Sequence, residues 1–255
     1  LSRLHAVFSL GVLVGSGVAG AVTAAGVGVR PHLVIVAALG VVAAAVVAPR
    51  LGPGERPRQA VAAPALRAEA HPIFARPTRA LAGAGAIAFC VLLCEGAVAD
   101  WSAVHLRDDV ELGAGAATLG LAAFSVAMVV GRLAGDRVSI RLGARRHVRF
   151  GGALAAGGLL LAALAHTAVP AVAGFAVAGL GLSALFPLVV RAAAATPGPA
   201  AAIAAVSTAG YVGLVAGPPA VGALAQATSL RASLAIILGT LCLVTILLAP
   251  TVDAE

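Results

Sequence analysis

Residues 80–104 read ALAGAGAIAFCVLLCEGAVADWSAV, a stretch without a basic residue. At roughly 1.5 Å per residue, a helix over this stretch would exceed the ~30 Å hydrocarbon core of a bilayer. Its apolar residues do not alternate with polar ones, so the stretch lacks the period of a β-strand. Because backbone amides in hydrocarbon must be hydrogen-bonded within the spanning structure, we expect a transmembrane helix here.

The composition of the whole chain also indicates a protein that lies in a lipid bilayer. Of 255 residues, 61% are hydrophobic and 11% are charged, whereas about a quarter are charged in a typical soluble domain. A soluble protein of this length would lack the polar groups to cover its surface. The 31 Gly and the many Ala suit helices that pack closely in lipid. We therefore expect an all-α, polytopic transmembrane bundle.

Eight apolar runs long enough to span a bilayer occur along the chain. They are residues 4–27, 32–48, 80–104, 114–131, 150–165, 169–190, 200–225 and 230–248. The Arg residues predict the orientation, since cytoplasmic loops carry an excess of positive charge. With residues 50–79 and the fourth connection inside, fourteen Arg are cytoplasmic and only Arg30, Arg107 and Arg231 are external. Both termini then face the cytoplasm.

An internal repeat divides the chain into parts of two bundles. Glycines of the first run match glycines of the seventh at a constant offset: Gly11, Gly15 and Gly20 against Gly213, Gly217 and Gly222. The offset is six helices, the period of a transporter with two parallel six-helix halves. We expect residues 1–49 to be the last two helices of the N-terminal half and residues 80–255 the C-terminal six-helix bundle, with four helices before Leu1. Chance similarity is the alternative in a Gly-rich chain.

The stretch 50–79 is the long connection between these two parts. It contains five Pro and six Arg, a composition typical of a linker that does not fold on its own. We expect a cytoplasmic linker between the bundles. A plain basic loop beside the membrane would have the same composition.

A motif rich in glycine and charge follows the fourth run. Gly131-Arg132-Leu133-Ala134-Gly135-Asp136-Arg137 continues to Arg141, Gly143, Arg145 and Arg146. This pattern resembles the cytoplasmic loop motif of the major facilitator superfamily. It departs from it in two places, because Gly131 stands five residues before Asp136, where four is usual, and Ser139 stands where Gly is common. The stretch from Glu95 to Ser102 is similar to bacterial, fucose-permease-like members, a resemblance that implies a bacterial inner membrane.

The resemblance implies a secondary transporter that works by alternating access, with a gate at the cytoplasmic motif. Asp136 would pair with an Arg or a helix N-terminus in one state and release it in another. The alternative is that these Arg only follow the positive-inside rule and contact lipid headgroups. Arg132, at the inner end of its helix, is expected to extend its side chain to the membrane surface.

The seventh run resembles the Gly-Pro motif of the antiporter branch, which in the family belongs to the other half. The residues concerned are Gly213, Gly217, Pro218 and Gly222. Glycines let two helix backbones approach, and proline frees a backbone carbonyl and can kink or hinge a helix. We expect this run to pack closely on a neighbour.

Glu95 is the main candidate for function, because a lone carboxylate in hydrocarbon costs several kcal/mol and usually faces a cavity or a partner. Small residues share its helical face and bulky residues oppose it: Ala84, Ala88, Ala99 and Ser102 against Phe89 and Leu93. We expect the small face to pack on helices and the bulky face to meet lipid. Burial favours the neutral carboxyl, which suits proton coupling or substrate binding. A carboxyl held by a structural hydrogen bond is the alternative.

Asp100, Trp101 and Tyr211 are further candidates for binding substrate or protons. Each has a simpler interpretation: a solvated acid, a Trp in the interfacial aromatic belt, and a packed Tyr. Their type and position alone do not choose between the two.

Other classes of function find little support in the sequence. None of the six His is spaced with another for a metal or a catalytic pair, and no phosphate-binding loop occurs. Cys90 and Cys94 are i,i+4 neighbours on one helix face and could bind a metal together, but the simpler interpretation is that they are small thiols packed in the core. We expect no enzyme, cofactor, metal or nucleic acid, and a monomer that contacts lipid, protons and a small solute, sugar-like or exported. A channel, or a sensor or scaffold without transport, is the alternative.

Overall fold

The computed structural model describes residues 2–50 and 78–252, and it contains helices but no strand within these two ranges. The α-helices there are α1 (Ser2–Ala24), α2 (Val29–Val47), α3 (Arg79–Asp108), α4 (Leu119–Leu142), α5 (Ala144–Leu164), α6 (Ala168–Leu182), α7 (Leu185–Ala194), α8 (Pro199–Ala227) and α9 (Leu230–Leu248). Each of the eight predicted runs falls on a helix, and the sixth falls on two, α6 and α7.

Seven described segments are long and apolar enough to cross a membrane, and α1 contributes a shorter apolar stretch, Leu10–Ala24. Together these helices form a bundle of about eight spans. The predicted fold class, a polytopic all-α bundle, is confirmed. The predicted linker 50–79 lies almost wholly outside the described residues, and the division of the chain at residues 49 and 80 stays a prediction.

Local sequence signals explain where several helices begin. Thr78 precedes α3, and its Oγ1 accepts a hydrogen bond from the Leu81 N–H at 3.1 Å, which satisfies a donor that the first turn leaves free. α8 begins at Pro199, a position where the missing N–H is not needed. Gly143 alone separates α4 from α5, with a φ of 78°. Glycine adopts this left-handed conformation without strain.

α3 is the central helix of the bundle. It packs most extensively on α8 and also contacts α7 and α9, while α6 lies against α4 and α5. Ala84 and Ala88 are buried, as the pattern predicts. Two expectations about its faces are wrong: Leu93 is buried and Ala99 is exposed. Leu93 does not meet lipid because it packs against Gly217 of α8, so this side of α3 is covered by a helix.

The α8 glycines lie against α3. A Cβ at Gly213 would overlap the backbone carbonyl of Phe89, and one at Gly217 would lie 2.6 Å from the carbonyl oxygen of Leu93. A Cβ at Gly222 would lie 2.9 Å from the Trp101 ring. α8 continues through Pro218 and Pro219 without a break. The two helices therefore approach at backbone distance, and a hinge at Pro218 stays a prediction.

α1 is the part of the N-terminal pair that contacts the remaining helices. Its C-terminal end lies beside the start of α4, where a Cβ at Gly115 would come 2.9 Å from the Ala24 side chain. Within the described part of the chain, no atom lies within 4 Å of a Cβ built at Gly11 or at Gly15. The described residues of α2 are all exposed or nearly so. The side chains of residues 10–24 and 29–47 thus leave most of their apolar surface exposed.

Candidate functional site

A buried ion pair joins α3 to α4. Nη2 of Arg132 lies 3.5 Å from Oε1 of Glu95, and the two side chains are 4% and 14% exposed. Glu95 Oε1 has no hydrogen-bond partner among the described residues, so the contact with Arg132 is mainly electrostatic. Glu95 thus faces a partner rather than lipid, one of the environments expected for an acid in hydrocarbon.

The prediction that Arg132 extends to the membrane surface is wrong. The residue is 6% exposed, and its guanidinium points into the bundle towards Glu95. Either charge alone would be strongly destabilised in this environment, whereas each offsets much of the desolvation of the other. The sequence contains both residues, but their separation along the chain hides the pairing.

The guanidinium of Arg132 also contacts the break between α6 and α7. Its Nε donates a hydrogen bond to the backbone oxygen of Ser183 at 3.4 Å. Ser183 and Ala184 stand between the end of α6 and the start of α7. A Cβ at Gly131 would overlap the Ser183 side chain, and one at Gly135 would lie 3.3 Å from the Ala184 Cβ. Gly131 and Gly135, which precede and follow Arg132 on α4, therefore let α4 approach the break between α6 and α7.

A second ion pair lies further along α4, at the end predicted to be cytoplasmic. Nη2 of Arg191, at the end of α7, donates to Oδ1 of Asp136 at 2.9 Å, and the two side chains are 60% and 61% exposed. A cavity of about 10 Å³ lies between this pair and Arg132, with Ser139 and Ser183 in its lining. This volume is close to the smallest that holds one water molecule. Arg132 and the Asp136–Arg191 pair therefore border one small cavity.

The remaining motif residues lie at the same end of the bundle. Arg137, Arg141, Gly143, Arg145 and Arg146 are all exposed. None of them is in the cavity lining, whereas Gly131, Arg132, Gly135 and Asp136 of the motif lie beside the break or the cavity. Arg191 was not among the residues selected from the sequence. The signal that would have found it is a single basic residue at the end of a long apolar run.

The other candidate binding residues do not join the Glu95–Arg132 pair. Trp101 is half-buried, and its Nε1 donates to the backbone oxygen of Pro218 at 3.1 Å, which ties α3 to α8. Asp100 and Tyr211 are exposed on the bundle. A binding role for these three residues stays a prediction.

A polar cluster that sequence reasoning missed lies at the opposite end of α3. His105 is fully buried, with Nδ1 2.7 Å from Asp109 Oδ2 and Nε2 2.9 Å from the backbone oxygen of Ala162. Nε of Arg231 lies 3.7 Å from Asp109, and its Nη1 lies 3.1 Å from Nδ1 of His166. The i,i+4 spacing of His105 and Asp109 was the available signal. The cluster joins α3, α5 and α9.

The three cysteines are buried in the core, on α3 (Cys90 and Cys94) and α9 (Cys242). Within residues 2–50 and 78–252, no group of three or more His, Cys, Asp or Glu is placed to hold a metal ion.

The C-terminal two-thirds of the sequence matches a family model, and the chain is similar to several curated proteins. Residues 84–254 match the model of the Major Facilitator Superfamily. The chain is 38% identical over 162 residues to an uncharacterised MFS-type transporter of Yersinia pestis, covering 62% of this chain and 42% of that protein. It is 33% identical over 156 residues to the membrane protein MosC of Rhizobium meliloti (60% and 38%). It is 41% identical over 157 residues to the uncharacterised transporter y4wD of Sinorhizobium fredii (61% and 42%).

The matched segment spans about two fifths of the length of each of these relatives. The match to the family model includes α4 with its motif and most of α3 with Glu95. The motif resemblance and the family-model match indicate the same family, and the helical bundle is consistent with it. The chain belongs to the Major Facilitator Superfamily.

Proposed function

We propose that this chain serves in secondary active transport of a small solute across a bacterial inner membrane, by alternating access and with proton coupling at Glu95. The observation that carries this proposal is the buried Glu95–Arg132 ion pair. A carboxylate and a guanidinium withdrawn from water stabilise each other strongly, and a proton on Glu95 removes that attraction. Binding or loss of one proton therefore changes the force between α3 and α4.

The exposed pair Asp136–Arg191 is the proposed cytoplasmic gate. Exposed ion pairs contribute about 0–1 kcal/mol, so such a contact can form and break during a transport cycle. It joins α4 to the end of α7, next to the cavity that reaches Arg132. We assign this end of the bundle, and both termini of the chain, to the cytoplasm because most Arg lie there.

The solute is proposed to be a sugar-like molecule taken up, or a drug or metabolite exported, by a monomeric protein. The similarity to fucose-permease-like members supports the first and the Gly-Pro motif of α8 supports the second. Saturable counterflow without single-channel currents, in liposomes that contain the protein, would support a carrier over a channel or a scaffold without transport.

Replacement of Glu95 by Gln is expected to abolish accumulation driven by a pH gradient, because the amide neither binds nor releases a proton. We expect at least a tenfold loss, with exchange of solute at equal pH retained. Proteoliposomes tested with radiolabelled hexoses and with a cationic dye measure both activities. Glu111→Gln, at an exposed acid outside the helices, is the matched control. Unchanged pH-driven accumulation in Glu95→Gln would remove this residue from coupling.

Replacement of Asp136 by Asn is expected to open the cytoplasmic end while changing the free energy of unfolding by less than about 1 kcal/mol. The measure is the rate at which an impermeant maleimide modifies a Ser139→Cys variant, since Ser139 lines the cavity beside the pair. We expect the rate to rise several-fold. Asp108→Asn removes another exposed pair, Arg107–Asp108 at 2.8 Å, and is the control. Equal rates of Ser139→Cys modification in the otherwise native protein, in Asp136→Asn and in Asp108→Asn would contradict the gate.

A further inference from the structure

We propose that Pro187 is a positioning residue for the coupling pair: it frees the backbone oxygen of Ser183, which then holds Arg132 beside Glu95. The inference rests on the proposed proton-coupling role of Glu95. It gives the break between α6 and α7 a functional role. In the sequence, the only sign of this break is a proline within an apolar run.

The first step is the chemistry of proline. A residue in an α-helix donates its N–H to the carbonyl four positions earlier, and proline has no N–H. The carbonyl four positions before Pro187 is that of Ser183. A backbone carbonyl within a membrane must find another donor, because an unsatisfied one costs several kcal/mol there. α6 ends at Leu182 and α7 starts at Leu185, so the break falls at this carbonyl.

The second step is the donor that replaces the missing N–H. Nε of Arg132 lies 3.4 Å from the Ser183 oxygen, while Nη2 of the same guanidinium lies 3.5 Å from Glu95. The rigid planar guanidinium donates in fixed directions, so two acceptors define its position and orientation. A lysine ammonium at the same position would offer no such fixed geometry.

The third step separates the backbone of Ser183 from its hydroxyl. The Ser183 Oγ donates to the Leu180 oxygen of its own helix at 2.7 Å. The hydroxyl hydrogen is therefore used at the end of α6, and the backbone carbonyl is the group that accepts the hydrogen bond from Arg132. Gly131 makes this approach possible, because a side chain there would overlap Ser183.

The consequence concerns the protonated state of Glu95. Arg132 is the charged group that faces Glu95, and the cavity beside Arg132 is bordered by Asp136 and Arg191. When Glu95 binds a proton, the attraction to Arg132 falls, but the bond to Ser183 remains. Arg132 stays in place, and the pair can form again when the proton leaves.

The test is the pH profile of Glu95 modification by dicyclohexylcarbodiimide, which reacts with protonated carboxyl groups in apolar surroundings. Membrane vesicles from cells that express the protein are labelled across a pH series, and the Glu95 peptide is quantified by mass spectrometry. In Pro187→Ala the new N–H competes for the Ser183 oxygen. We expect the midpoint to move about one pH unit upwards, since a hydrogen bond to a charged group has roughly that effect.

Two control variants are expected to leave the midpoint unchanged. Pro170→Ala changes a proline that is the third residue of α6, as Pro187 is of α7. Ala165 and Thr167 before it are extended, whereas Ser183 and Ala184 keep right-handed helical dihedral angles, so only Pro187 follows a helical carbonyl four positions earlier. Ser183→Ala removes the hydroxyl but keeps the carbonyl. If Pro187→Ala fails to fold, Arg132→Lys tests the same bond, because it keeps the charge and loses the Nε donor, and the same upward shift is expected.

The outcomes separate this inference from the proposed function. A titrating native protein whose midpoint does not move in Pro187→Ala or Arg132→Lys overturns the positioning role alone. A shift in Ser183→Ala as large as that in Pro187→Ala also overturns it, because the hydroxyl would then be the group that matters. Labelling of Glu95 that is independent of pH in the native protein overturns the proton-coupling role itself.

Discussion

Replacement of Arg132 by Leu is expected to reduce the free energy of unfolding by roughly 3–5 kcal/mol, because it leaves the buried Glu95 carboxylate without its cation. Both side chains are almost fully withdrawn from solvent, so water cannot take over the role of Arg132. The Ser183 oxygen also loses a donor. Unfolding of the purified protein in mixed micelles, with an increasing fraction of denaturing detergent, measures the loss.

The double variant Glu95→Gln with Arg132→Leu is the decisive comparison. It removes both charges, and we expect it to regain much of the stability, since replacing a buried ion pair by uncharged groups is often nearly neutral. The four proteins of the cycle give the coupling energy between the two residues. Strictly additive losses in the single and double variants would show that the pair does not act as a unit.

Replacement of Gly213 by Val is the second change with a large expected effect. The Cβ would overlap the backbone oxygen of Phe89 and lie 3.0 Å from its Cα. Because these are backbone atoms, no side-chain rotation relieves the overlap, and α8 must move away from α3. We expect a loss of roughly 3 kcal/mol, at the upper end of the range for an overfilled core, or failure to assemble.

Gly239→Val in α9 is the matched control for this substitution. No atom lies within 4 Å of a Cβ built there, so we expect a change within about 0.5 kcal/mol, as for most exposed sites. The two variants are compared by their midpoint of thermal unfolding in detergent, with size-exclusion chromatography as the measure of the protein that remains folded. Equal stability of Gly213→Val and the native protein would mean that α3 and α8 do not approach at backbone distance.

The sequence by itself predicted the class of fold and the helices that build it. The thickness of the bilayer core sets the number of consecutive apolar residues that a spanning helix needs. This number can be counted along the sequence, so the eight runs could be located before any contact was known. The motif from Gly131 to Arg146 indicated a transporter family, and the match of residues 84–254 to the family model confirms it. Glu95 was selected because one acid in a long apolar run has a known energetic consequence.

The partners of these residues were decided only by the tertiary structure. Glu95 pairs with Arg132, Arg132 with the Ser183 oxygen, and Asp136 with Arg191. Each contact joins residues on different helices, and it depends on how those helices are rotated and how closely they approach. The burial of Leu93 has the same origin, because the helical face that meets lipid is set by the neighbours of α3. Hydropathy along one helix contains no information about that rotation.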